Sequence, residues 1–413
     1  MDHGGSGGTK TQAQYAVRVA DGIGAFTRQE WDGLSSTART TSESGYNPFL
    51  SLAFLSALEE SGCATGQTGW QPHHVRLETP EGRLLGAMPC YVKSHSQGEY
   101  VFDHGWADAF ERAGGSYYPK LQCAVPFTPA TGPRLLVAAG EDSQAVKAAL
   151  ASGLRLVTEK LGVSSAHVTF LPQEDVPGLE AASFLHRTDQ QFHFFNEGFS
   201  SYDDFLGLLA SRKRKALKKE RRAALSDGIS VERLTGKAIT ESVWDDFFAF
   251  YMDTGGRKWG RPYLNRAFFS LIGERMADDI LLVMARRSGR YIAGAINFIG
   301  SDTLYGRNWG CIEDHPFLHF EVCYHQAIDF AIERGLKVVE AGAQGEHKLA
   351  RGYRPVTTHS AHYIAHPGLR GAVADYLRRE RREVERAGDY LGDHTPFRKG
   401  DAAFSAPASS KTD

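Results

Sequence analysis

Glu346, His347, Lys348 and Arg351 fall within six positions, inside the stretch VVEAGAQGEHKLARGYRPV at residues 338–356. A strand there runs into turns that Gly342 and Gly345 permit. Strand ends in α/β folds are where ligands bind, because side chains and free N–H groups converge there. Lys348 and Arg351 are suited to hold a carboxylate or phosphate, and His347 or Glu346 to move a proton. A polar surface loop with turn glycines is the plainer alternative.

Three further groups precede this stretch. Tyr305, Arg307, Asn308 and Trp309 lie along one strand thinned by Gly306 and Gly310, and such donors either bind ligands or pack in a core. Cys311, His315, His319 and Cys323 recur every four residues, and each residue type ligates zinc. No C-x-x-C pair accompanies them, and Phe317, Phe320, Tyr324, Ile328 and Ala331 give that helix an apolar face that packs without metal, so no metal is expected. Glu321 sits at the margin of the apolar face, with His319 turned away from it. A half-buried carboxylate beside a cleft would gain a raised pKa suited to general acid/base work; a salt bridge is the alternative.

Residues 211–222, SRKRKALKKERR, hold eight cations against Glu220, a net +7. The whole chain of 413 residues carries 47 Lys+Arg and 49 Asp+Glu, a net of −2, which leaves −9 for the rest. Leu206, Leu209, Leu217 and Ala224 form a narrow apolar stripe with Lys213 upon it, and the other cations cover the remaining faces. Like charges at this density oppose helix stability. They point to an anionic partner: a phosphate backbone, a nucleotide or an acidic membrane surface. A solvated helix balanced by acids elsewhere is the alternative.

These side chains need a scaffold, and the length suggests two domains with enough apolar residues (42%) for real cores. Residues 1–14 read as a flexible tail without the apolar core of a signal peptide, and residues 391–413 as a second tail. The first domain is expected over 15–195. It contains a strand at 15–19, a helix opened by Asn47-Pro48, a hairpin of 73–77 and 84–92, a Gly/aromatic loop from 94 to about 131, a helix at 143–161 and a strand at 166–171. The second, over 196–390, opens with a basic helix at about 201–226. Helices at 244–251 and 266–276, strands at 280–286, 291–299 and 303–309, a helix at 316–334, a strand at 337–341 and a charged helix ending near 387 follow. Hairpins within an alternating α/β pattern imply mixed sheets. No apolar run spans a bilayer, and five scattered cysteines without C-x-x-C suggest a reducing, cytoplasmic setting. P-loop, G-x-G-x-x-G, H-E-x-x-H and G-x-S-x-G patterns are absent, which disfavours nucleotide kinase and serine hydrolase chemistry.

Taken together, NPFLSLAFLSALEESG (47–62), WADAFERAGGSYYPKLQCAVPFTPATGPRLL (106–136), SRKRKALKKERRAALSDGISV (211–231) and the stretch 310–364 resemble the bacterial FemAB-like N-acyltransferases of the GNAT superfamily, described as peptidoglycan-biosynthesis-like. The resemblance covers about residues 46–385. It implies two tandem GNAT-like domains, and acyl or aminoacyl transfer from aminoacyl-tRNA or acyl-CoA, as co-substrate, to an amine of a small molecule or envelope precursor. No tightly bound cofactor is implied. Arg212, Lys215 and Lys219, followed by Gly228-Ile229-Ser230-Val231, match the family's Lys/Arg-rich segment and would contact the donor's phosphates, with tRNA as the implied partner. Glu321 or His347 would serve as the base, and Lys348, Arg351, Tyr305, Arg307 and Trp309 would bind substrate. The Q/R-x-x-G-x-G/A loop of CoA-using GNATs is not matched, since Arg307-x-x-Gly310-x-Ile312 has Ile where Gly or Ala belongs. The other reading is a non-catalytic module that binds tRNA or an anionic envelope precursor.

Overall fold

Apolar runs separated by glycine turns make several of the strands of this chain, and strand pairing sets the architecture. The computed structural model describes residues 15–38, 45–259, 262–342 and 345–398. The strands are β1 (Ala16–Ala20), β2 (Trp70–Pro72), β3 (His74–Glu78), β4 (Leu84–Met88), β5 (Cys90–Lys93), β6 (Lys120–Cys123), β7 (Leu136–Val137) and β8 (Ser165–Leu171). They continue with β9 (Leu185–Phe195), β10 (Ser230–Leu234), β11 (Ile280–Arg287), β12 (Arg290–Ile299), β13 (Thr303–Cys311), β14 (Val338–Glu340) and β15 (Arg354–Ile364). One sheet has the order β1-β3-β4-β7. The other is eleven-stranded, in the order β10-β11-β12-β13-β14-β9-β15-β8-β6-β5-β2. Both β6·β8 and β13·β14 are parallel while the other pairs are antiparallel, so the large sheet is mixed as expected.

The two halves exchange strands. Strand β9, which ends the first half, lies between β14 and β15 of the second, and β15 in turn pairs with β8 of the first. Across that seam His167 on β8 and His362 on β15 share a 2.7 Å hydrogen bond between their Nδ1 atoms, both fully buried. The apolar core likewise crosses the boundary: Phe49 and Phe54 near the N-terminus pack on Phe298 and Phe268 with ring centroids 5.0 and 5.6 Å apart.

Several elements differ from expectation. Asn47 does cap with its side chain, but over a short 3-10 turn at Pro48–Leu50. The helix proper, Leu52–Glu60, has its own cap in Ser51. The segment 94–131 holds a helix, His104–Arg112, and strand β6, which Gly and aromatic content concealed. The basic helix is broken: Tyr202–Gly207 and Ser211–Ala224 flank a joint where Leu209 bridges to Phe397 and Ala210 N–H donates to the Pro396 carbonyl. Helices Ser143–Leu161 and Arg266–Met276 lie where periodicity puts them. A long helix, Pro367–Asp393, closes the fold. No helix among the described residues is long and apolar enough to cross a membrane.

Candidate functional site

Strands β13 and β14 run side by side for only three residues each, the last pair being Tyr305 and Glu340, and then part. Just beyond the fork β13 bulges: Asn297 pairs with Gly306 and Ala295 with Trp309, so three steps on β13 face two on β12. A bulge leaves an extra residue outside the ladder and re-aims its neighbours, which is why bulges recur beside binding sites. Here it turns Tyr305 towards Phe49 on one side of the sheet and Trp309 towards His319 on the other, with centroids at 5.2 Å in both cases. Gly310 follows because the backbone of Phe250 crosses against it and leaves no room for a side chain.

On the Trp309 side lies a groove of about 420 Å³ whose walls include Trp309, Cys311, Asp314, Phe317, His319 and Phe320. Phe317 stands at its mouth, 44% exposed and at φ 64°. A left-handed conformation is costly for a side chain of that size and persists only where surroundings impose it. The floor helix begins at Leu318 and passes through a π-turn over Glu321–His325, with the Gln326 N–H reaching back to the Glu321 carbonyl, before resuming as Gln326–Arg334. Such turns are uncommon and collect at functional sites.

The loop after β14 packs behind two of the groove's walls, His319 and Phe320. His347 lies 5.5 Å from the Phe320 ring and 6.2 Å from His319, with Nε2 2.9 Å from the Tyr324 hydroxyl. Burial, then the nearby Arg351 and Lys348 charges, hold its pKa below the usual imidazole value, so the ring is neutral at pH 7. Lys348 is 1% exposed, donates to the Gly342 carbonyl at 2.9 Å and is brought down by burial to about 8.

On the other side of the sheet is a group that sequence reasoning passed over. Glu340 is buried at the fork, with Oε1 4.0 Å from His193 Nε2, and Oε2 has no hydrogen-bond partner among the described residues. Burial pushes its pKa up to about 8, against weaker opposite effects of a Thr131 backbone hydrogen bond and the Arg307 and Arg134 guanidiniums. His193, facing Lys348, is pushed down by burial to about 3. A carboxyl poised near neutrality at a strand end is a candidate for proton transfer. The only signal in the sequence is an acid interrupting the apolar run VVEA.

The expected residues thus divide. Trp309 lines the groove, and His347 stands behind it, against His319 and Phe320. Tyr305 and Arg307 face the fork from the Glu340 side, where Arg307 donates to the Phe127 carbonyl and burial lowers its pKa, while burial raises that of Tyr305. Glu321 differs most from expectation. Its side chain is fully buried and accepts from Arg221 Nε and Nη2 at 3.0 and 2.8 Å and from Gln326 at 2.7 Å, so its oxygens are committed to an ion pair. Arg351 is likewise committed, both Nε and Nη2 donating to Glu220 at 2.8 and 2.7 Å. Arg212, Lys215 and Lys219 are exposed on the outer face of the basic helix, as is Lys213, which the wheel had put on the apolar stripe. His315 turns to Glu313 at 3.0 Å and His319 to Trp309. Among the described residues no group of three or more His, Cys, Asp or Glu is arranged for a metal ion. Glu346 lies where its side chain is outside the described structure.

Residues 22–399 match a family model, FemAB-like, described as peptidoglycan biosynthesis/recognition. Among solved structures, FemX is similar over 84% of this chain and 98% of its own, with a TM-score of 0.53 at 12% identity. A conserved protein of unknown function from Bacteroides thetaiotaomicron matches over 84% and 99%, with a TM-score of 0.50 at 13% identity. A tandem GNAT protein from the clavulanic acid biosynthesis pathway matches over 86% and 99%, at 0.41 and 11%. No curated protein matches the sequence. The fold is the mixed α/β fold of FemX.

Proposed function

Because the chain belongs to the FemAB-like family of peptidoglycan biosynthesis and recognition proteins, we propose that it is an N-acyltransferase that moves an aminoacyl group from a tRNA donor to an amine acceptor. The observation that carries this reading is the fork of β13 and β14, with a groove on one face and Glu340 on the other. Acyl transfer to nitrogen needs a neutral amine, a base for its proton and donors for the oxyanion of the tetrahedral intermediate. The bulge in β13 supplies a backbone N–H outside the ladder as the oxyanion donor. His347, neutral at pH 7, is the base we assign, and the Tyr324 hydroxyl at its Nε2 holds the ring in place. The proton that His347 takes from the amine passes on to the departing oxygen, which returns the imidazole to its neutral form.

The preference for a tRNA donor rests on two features. Arg212, Lys213, Lys215, Lys218, Lys219 and Arg222 of the 211–222 segment are exposed, where a phosphate backbone can lie. The Q/R-x-x-G-x-G/A loop of CoA-using GNATs is unmatched, since Ile312 stands where Gly or Ala belongs. The test is incubation of the purified protein with aminoacyl-tRNA or acyl-CoA and a set of amines, followed by mass spectrometry. Aminoacylated product is expected with the tRNA donor, and His347→Ala should lower its rate by roughly 10²–10⁴-fold. Binding of tRNA without product from either donor would sink the enzyme reading and leave a recognition module.

A further inference from the structure

The one acid of the basic helix faces inward. Leu217 is buried, and Glu220 and Arg221 lie one turn further on the same side. Glu220 accepts Nε and Nη2 of Arg351 at 2.8 and 2.7 Å and faces His325 Nε2 at 2.9 Å. The same guanidinium donates Nη1 to the backbone carbonyl of His347 at 2.7 Å and lies 3.4 Å over the Phe320 ring. A single side chain therefore connects the helix to the backbone of the loop that carries His347. Arg221 is a second strut, bonded to Glu321 and to Asp329 at 2.8 Å.

The helix so anchored is poorly stabilised on its own. Ala210 at its N-cap makes no side-chain capping bond, and Arg212, Lys213 and Arg214 crowd the first turn, where the helix dipole disfavours cations. Like charges along the outer face add to the strain. An anionic chain lying there would remove both penalties and make the helical, Glu220-presenting state more populated.

We propose that Glu220 is a positioning residue that couples a polyanion on the outer face of this helix to the order of the loop at 345–352. This rests on the RNA-donor reading above. By linkage, what binds the helix tightens the loop, and what loosens the loop weakens binding by the same factor. Chain occupancy is thereby registered at the groove before the acyl group reacts.

The experiment is hydrogen exchange of the peptide spanning 345–353, with and without deacylated bulk tRNA, in the wild type and in Glu220→Gln. Thermal melts establish that the variant is folded, and Glu220→Asp, which keeps the charge, is the rescue. The expected result is that tRNA slows exchange in the wild type by at least about fivefold, a typical coupling. Glu220→Gln should still bind tRNA through its outer cations but show no slowing, and Glu220→Asp should recover part of it. Lys215→Ala/Lys219→Ala should weaken tRNA binding, so that the same slowing appears only at higher tRNA concentration. Wild-type binding of tRNA with equal slowing in Glu220→Gln, or with none in either protein, overturns the coupling and leaves the RNA reading standing. Failure of the wild type to bind tRNA overturns both.

Discussion

Replacing Glu340 by glutamine should change the pH dependence of stability in a calculable way. In the folded protein burial raises this carboxyl from an ordinary 4.5 to about 8, so between those values the native state holds a proton that the unfolded chain has released. Stability falls wherever the native state binds more protons, so this group erodes stability from about pH 4.5 upward until about pH 8, and no further above it. At about 1.4 kcal/mol per pH unit, the loss reaches about 2 kcal/mol at pH 6 and about 5 kcal/mol above pH 8. Both are upper figures, since a relaxing interior softens such penalties. Glutamine keeps the shape of the protonated acid and cannot ionise. The stability difference, Glu340→Gln minus wild type, should therefore grow in favour of the variant by about 3 kcal/mol between pH 6 and pH 8.5. The assay is urea unfolding at both pH values and constant ionic strength, read as midpoints with the slope held common. A difference that stays constant, or shrinks with rising pH, would refute the assignment of a buried, protonated acid at the fork.

Further outcomes follow from the same structure. Arg221→Ala strips the fully buried Glu321 of its bidentate partner, and the loss should be about 3–5 kcal/mol by urea unfolding, because an uncompensated buried carboxylate remains; a loss below about 1 kcal/mol would mean the pair is solvated. Lys215→Ala/Lys219→Ala should weaken tRNA binding and lower the slope of log affinity against log salt by about 1.4–1.8, at roughly 0.7–0.9 per phosphate contact; fluorescence titration across a salt series checks it. A chain ending at Phe195 should fail to yield a cooperatively melting, soluble domain, because β8 would lose β15 and present an open edge; a sharp calorimetric transition would contradict this.

Much of the scaffold was legible because it is periodic. Ser143–Leu161 and Arg266–Met276 carry their apolar residues at helical spacing behind side-chain N-caps, Asp142 and Asn265, and β11 and β12 are apolar runs joined by a Ser-Gly turn. Strand β15 escaped because RPVTTHSAHYI is polar, its pairing supplied by β8 and β9 rather than by its own pattern. At the site, charge density marked the basic helix, but adding up charge hid direction. Glu220 looked like the exception to a cationic surface, whereas its spacing from Leu217 put it on the buried side. Glu321 was singled out for its placement near a cleft, and the residue that takes its charge, Arg221, is a hundred positions earlier. Long-range partners of this kind leave no local signature. Glu340 is the converse case, an ordinary acid in sequence whose environment includes Arg134, Thr131 and His193 from the first half.

The exchange of β9 and β15 also sets a timetable for synthesis. A ribosome adds roughly 5–20 residues per second, and His362 follows His167 by 195 positions. The edge of β8 therefore waits about 10–40 s for its neighbour, with the apolar face of the first core built but open beside it. During that interval the nascent chain is a template for wrong pairing, either with another copy or with its own later strands. Slowed translation should therefore lower the soluble yield of this chain more than that of a protein whose halves close independently.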